Sequence, residues 1–395
     1  MIRNFLRDIR IDLEDAIHAN DHWIDIEHIR TLKHAVRLAS TLVGYVEEVV
    51  NERLDLVEIE QISAIHPYTL EDVLKAYRTI DRILDTILSC YLPVTEHGRI
   101  HFFTTTIGHD ISIVPYRGHM YGRYISVFMA PSIDLLRTTF WSCFAHEAAH
   151  IRLGQVEYIP PAMGAEEFAR FTMQYVSDLS KVVLRTEYKY LDFLSQRRLL
   201  SQFDETLCDL MSVLFVGPAS PLALASLADP MAETRTAETH PPLVSRIDYM
   251  LKALEVICHQ DDEPCDLVNR IRNQWASYSS GIMNSPSEPR RSKHYVKDYT
   301  EFVDLHLRGL LEIASQFVSG QNVMMFDYGK WTSANNFIES DFDVTTGGLD
   351  IIALLNVPWA LDLMDSSAQA AVLSSHQDDP WLTKPIVNAV EYLYG

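Results

Sequence analysis

Apolar residues recur at three- and four-residue intervals over much of the chain. Ile2, Phe5, Leu6, Ile9 and Leu13 do so, then Leu32, Ala35, Leu38, Leu42 and Val46, then Leu70, Val73, Leu74, Tyr77, Ile80 and Ile83 between Thr69 and Leu92. This spacing lays one apolar stripe along each helix and predicts a helical N-terminal region over 1–95. The texture changes at Arg99. RIHFFTTT, DISIVPY and GRYISVFMA are short, β-branched and aromatic, with Gly108, Gly118 and Gly122 between them, and they predict a small sheet. Helical spacing returns over Ile133–Leu153, opened by Pro131-Ser132 and closed by Gly154, a good N-cap and a good C-terminal stop. Pro160-Pro161 begins a helical insertion of about 158–200, and a further helix runs Ser195–Val216. His240-Pro241-Pro242 turns the chain into a helix reaching about Cys258. Residues 279–293, SSGIMNSPSEPRRSK, form a linker within a mostly helical region over 261–395. The expected fold class is α+β, mostly helical, with a core over 96–260.

The chemistry concentrates in FWSCFAHEAAHIRLG, where His146-Glu147-Ala148-Ala149-His150 spells HExxH on a predicted helix. Histidines at i and i+4 share a face, so both imidazoles can reach one ion. Zinc takes neutral imidazole nitrogen readily. Glu147 sits one position round the helix, placed to accept a proton from a metal-bound water rather than to ligate. The helix QRRLLSQFDETLCDLMSVLF adds Glu205 and Asp209, again four apart. Glu205 can complete a His2Glu metal set that leaves a fourth position for water. Asp209, one turn on, can accept the free N–H of a ligating histidine and fix its tautomer. Asp204 is adjacent but on another face. A third segment, Thr239-His240-Pro241-Pro242-Leu243-Val244-Ser245-Arg246-Ile247, holds a histidine before two prolines. His240 can donate to a developing oxyanion, and Arg246 can pair with a carboxylate near the two helices.

HEAAH, then ETLCD, then THPPLVSRI resembles the gluzincin peptidases of the HtpX and CAAX-prenyl-protease type. The resemblance covers roughly residues 120–255. It implies a zincin-like core with a small sheet and two zinc-bearing helices. It implies zinc ligands His146, His150 and Glu205, with Glu147 as general base. It also implies Asp209 as support for a ligand and His240 as a transition-state stabiliser. Cys208 stands where family members often have alanine, and the transmembrane helices of the best-known members have no counterpart here. The Lit-type phage-exclusion peptidases and the IrrE/ImmA regulators are looser parallels. A metzincin is excluded, because the positions for its glycine and third histidine are Leu153 and Val156. The strand Gly122–Ala130 is either a sheet edge that receives an extended substrate or an interior strand.

Composition narrows the setting. Lysine and arginine number 33 against 54 aspartate and glutamate, a net charge of −21. That disfavours nucleic acid, whose binding needs clustered cations, and anionic membrane surfaces. The stretch Leu210–Ala228 is uncharged but broken by Gly217, Pro218 and Pro221, so it reads as a buried helix end plus loop rather than a membrane span. Five dispersed cysteines without a CxxC suit reduced thiols and a cytoplasmic location. The expected activity is zinc-dependent endopeptidase cleavage of protein or peptide substrates. The alternative is a regulatory, partner-binding protein with a structural or latent zincin core, distinguished by a closed fourth zinc position.

Overall fold

A computed structural model describes residues 68–91, 100–105, 112–120, 123–129, 137–154, 164–227, 240–258, 265–283, 293–318, 325–376, 379 and 381–394. The helical expectation for residues 1–67 lies outside them. The chain divides into two units, one of 1–66 with 98–133 and one of 67–97 with 134–395.

In the first unit three short strands pair with one another: β1 (Ile100–Thr105), β2 (Ser112–Met120) and β3 (Arg123–Met129), in the order β1-β3-β2. β3 runs parallel to β1, with Ile100 opposite Tyr124, and antiparallel to β2, with Ser112 opposite Met129. Both sides of β3 are therefore paired, and of the two readings of Gly122–Ala130 the interior strand is the one found. The edge that would receive a substrate is not available on it.

The second unit carries all the candidate site residues, and no strand occurs among its described residues. The expected α+β core, with a sheet and two zinc-bearing helices in one body, is corrected on this point: the fold around the site is helical. Its helices are α1 (Leu70–Tyr91), α2 (Cys143–Gly154), α3 (Ala165–Val183), α4 (Phe193–Val216), α5 (Ala219–Leu227) and α6 (Leu243–Cys258). They are followed by α7 (Cys265–Met283), α8 (Lys293–Val318), α9 (Tyr328–Glu339), α10 (Ile351–Asp362), α11 (Ser366–Ser375) and α12 (Thr383–Tyr394). The physical reason lies in α4. From Glu205 to Val216 every side chain is buried, so helices must cover this helix all round. α2, α3, α5, α6, α8 and α10 do so, which makes the helices beyond residue 260 part of the same packed body as the site.

Several boundaries move for tertiary reasons. α4 starts at Phe193 rather than Ser195, because Asp192 caps it by accepting from the Ser195 N–H at 2.7 Å. α2 starts at Cys143 rather than near Ile133. Ahead of it Arg137 is extended and Thr138–Phe140 forms a single 3-10 turn, with Thr138 Oγ1 donating to the Trp381 carbonyl and Ser142 Oγ to that of Ala219. Ser132, the expected cap, lies outside the described residues. Residues 279–283, expected in a linker, are the end of α7.

The described part of the uncharged stretch, 210–227, is the end of α4, a tight turn and α5. The expected loop after the turn is therefore a helix instead. The turn needs Gly217, whose φ is +64° and whose Cβ would lie 2.3 Å from the Phe326 ring. Asn356 of α10 fastens it from the far side, donating from Nδ2 to the Val216 carbonyl at 2.9 Å and accepting from the Ala219 N–H at 3.2 Å. No helix among the described residues is long and apolar enough to cross a membrane.

Candidate metal centre

α2 and α4 pack side by side, and the i,i+4 pairs on each meet at their contact. The ring nitrogens of His146 and His150 and a carboxylate oxygen of Glu205 all lie within 4.8 Å of one another. His146 Nε2 and His150 Nε2 are 3.2 Å apart, with the two rings edge to face. Each is 3.3 Å from a different Glu205 oxygen. Among the described residues no further His, Cys, Asp or Glu joins this group.

His146 is oriented from behind. Its Nδ1 lies 2.9 Å from Asp209 Oδ1, so in the neutral ring Nδ1 carries the proton and the Nε2 lone pair faces the other donors. Asp209 is itself held by Arg246 of α6 through two parallel bonds, Nε to Oδ2 at 2.8 Å and Nη2 to Oδ1 at 2.7 Å. The Tyr249 hydroxyl also donates to Oδ2. Arg246 further lies 3.4 Å from Glu205 Oε2. His150 has a softer neighbour, with the Cys208 sulfur 3.3 Å from its Nδ1. A small residue is needed where α4 passes α2, and Cys208 is fully buried there.

His240, just ahead of α6, places its Nε2 3.1 Å from Glu205 Oε1 while its side chain stays 36% exposed. The double proline and the α6 N-terminus thus deliver His240, Arg246 and Tyr249 to one carboxylate pair. Glu147 is half-buried on the first turn of the motif. It stands near Cys143 and Cys208, both of whose thiols burial pushes up, with the Glu147 charge adding to it. It is not one of the three converging donors.

The electrostatics favour a cation. With both imidazoles neutral, as metal ligation requires, Glu205 and Asp209 together carry one charge more than Arg246 neutralises, and Glu147 adds another. Burial alone would raise both buried carboxyls, yet both are held below the usual range. For Glu205 the opposing groups are His146, His150 and His240 as hydrogen-bond partners, with Arg246; for Asp209 they are Arg246 and His146. Burial also disfavours a charged His146, but Asp209 and Glu205 outweigh it and push its pKa up to about 10. Glu205 Oε2 is buried without a hydrogen-bond donor aimed at it, although two cationic groups stand nearby. Two imidazole nitrogens, a carboxylate with an undonated oxygen and a surplus of negative charge fit a divalent ion with zinc's ligand preferences.

The structure thus brings His146, His150, Glu205, Asp209, His240 and Arg246 together, with Glu147 on the same helix turn. Sequence reasoning missed Tyr249, although it lies three residues after Arg246 and hence on the same helix face. It also missed the contact of Cys208 with His150. No protein-family model matches the chain, and no curated protein or solved structure matches it.

Proposed function

We propose that the chain is a zinc-dependent endopeptidase of the gluzincin type, hydrolysing peptide bonds in protein or peptide substrates. The observation that carries this reading is the incomplete donor set. The donors that lie within 4.8 Å of one another are three among the described residues, His146, His150 and Glu205, while Asp209 and His240 contact single members of that set, as in a catalytic rather than a closed structural site. For the same reason the partner-binding alternative with a structural zinc has less support. The ordered motifs HEAAH, ETLCD and THPPLVSRI add the resemblance to the HtpX and CAAX-prenyl-protease core.

His146, His150 and Glu205 would hold the ion. Zinc bound there supplies Lewis acidity, polarising a carbonyl and acidifying a coordinated water. Glu147 accepts the proton of the attacking water and returns it to the leaving amine nitrogen. Asp209, fixed by Arg246 and Tyr249, keeps the His146 proton on Nδ1. His240 offers a ring N–H from the exposed side of Glu205 to the developing oxyanion. A cytoplasmic setting is supported by Cys143 and Cys208, whose thiols are in no disulfide.

The test is Glu147→Gln against wild type and His146→Ala, with zinc quantified in each and cleavage read by proteome-wide terminal labelling. Wild type and Glu147→Gln should hold about one zinc per chain, and His146→Ala should lose it. Only the wild type should generate new termini. Undiminished proteolysis by Glu147→Gln would sink the mechanism.

A further inference from the structure

α8 lies far along the chain from the three motifs, yet its first turns touch both segments that build the site. Tyr295 is 8% exposed and Gln202, one turn before Glu205 on α4, is fully buried. The Tyr295 hydroxyl donates to Gln202 Oε1 at 2.7 Å. Gln202 Nε2 in turn donates to the His240 carbonyl at 3.4 Å. A carbonyl can only accept, so the amide nitrogen of Gln202 must face His240 and its oxygen must face Tyr295. The direction of the whole chain of bonds follows. Close by, Ser245 Oγ in the first turn of α6 bonds Thr300 Oγ1 at 2.8 Å, and Thr206 Oγ1 bonds the Tyr299 hydroxyl at 2.9 Å. α8 therefore contacts both α4 and the His240–Ser245 segment and braces them together.

We propose that Tyr295, acting through Gln202, is the positioning residue for His240 at the metal centre. The His240 side chain is 36% exposed, and the double proline that follows it leads directly into α6. The His240 backbone needs an anchor if its ring is to stay 3.1 Å from Glu205. Gln202 supplies that anchor in the amide orientation the His240 carbonyl demands, and the Tyr295 hydroxyl satisfies the amide oxygen in that orientation. Loss of the hydroxyl leaves Gln202 Oε1 buried without a donor, which frees the amide to turn away. What His240 does once placed rests on the peptidase reading; the placement itself does not.

The experiment follows the ring signals of His240 by nitrogen-15 NMR in the metal-free full chain, assigned with His240→Gln. Tyr295→Phe keeps the ring and removes the donor. Gln202→Glu still accepts from Tyr295 but cannot donate to the His240 carbonyl. Tyr299→Phe removes a neighbouring hydroxyl that bonds Thr206 Oγ1 and the Gln202 backbone carbonyl but not the Gln202 side-chain amide. The His240 signal should move toward that of free histidine in Tyr295→Phe and in Gln202→Glu, and keep its wild-type position in Tyr299→Phe. Bound zinc should stay at about one per chain in all three. If wild type cleaves casein, kcat should fall on the order of 100-fold in the first two variants with KM nearly unchanged. A wild type that binds zinc and cleaves nothing would refute the peptidase reading and leave the NMR result to decide this one. A His240 signal unmoved in Tyr295→Phe or Gln202→Glu, or moved equally by Tyr299→Phe, would overturn the proposal.

Discussion

Asp209→Asn changes one atom at the most heavily used acceptor in the site. The carboxylate takes four donors. Oδ1 faces His146 Nδ1 at 2.9 Å and Arg246 Nη2 at 2.7 Å, and Oδ2 faces Arg246 Nε at 2.8 Å and the Tyr249 hydroxyl. Asparagine keeps one oxygen, so whichever way the amide sits, two donors confront an NH2. A buried polar group left unpaired costs about 1–3 kcal/mol, and breaking a buried ion pair costs about 3–5 kcal/mol. These costs overlap because they fall on the same groups, and we expect about 3–5 kcal/mol in urea unfolding of the metal-free chain. His146 loses its carboxylate, and zinc affinity measured by chelator competition should fall about 10–100-fold. Tyr249→Phe removes a single donor from a carboxylate that keeps three, and should cost only about 1 kcal/mol.

The ion pair also fixes the sign of the acid response. The folded carboxyl of Asp209 titrates below its unfolded value of about 3.9. Its contribution is therefore present above that value and lost as pH falls toward the folded one. Asp209→Asn should flatten the fall in stability between about pH 5 and pH 2. A variant within about 1 kcal/mol of wild type that binds zinc equally well would refute the account of Asp209 as the hub of the site.

Three further outcomes are expected. In the metal-free chain His146 has its pKa raised to about 10, so its pairing stabilises the fold below the unfolded value of about 6.5 and is lost as pH rises through about 10. Zinc needs the neutral ring, and calorimetry at about pH 8 in buffers of different ionisation heat should show about one proton released from His146 on binding; a buffer-independent heat would contradict this. Gly217→Ala forces a side chain into a left-handed position against the Phe326 ring and should destabilise by at least about 1–3 kcal/mol in urea; an unchanged midpoint would show that the turn is not constrained. Asn356→Leu strips the Val216 carbonyl and the Ala219 N–H of their side-chain partner and should lower stability by about 2–4 kcal/mol, which thermal unfolding with a Tm near wild type would disprove.

Much of the site was legible because its spacing is helical. His146 with His150, and Glu205 with Asp209, repeat at one turn, and a helix of either sequence must put each pair on one face. Arg246 and His240 were legible as residue types beside a rigid double proline, and α6 begins directly after it. The fold class was less so. β-branched segments announce strands, and strands form over 100–105, 112–120 and 123–129, but a local pattern does not say whether they join the core that holds the chemistry. That depends on what covers α4. Its stretch from Glu205 to Val216 is buried on all sides by helices, two of which lie beyond residue 260.

The sequence by itself determined which faces carry donors, since periodicity is a local property of the backbone. Only the tertiary structure decided which donors meet. Gln202 and Tyr295 are 93 residues apart and Asp209 and Arg246 37, and no local rule links such distant positions. Their pairing is set by the packing of α6 and α8 on α4, where a buried carboxylate or amide must find its partner inside the protein or go without.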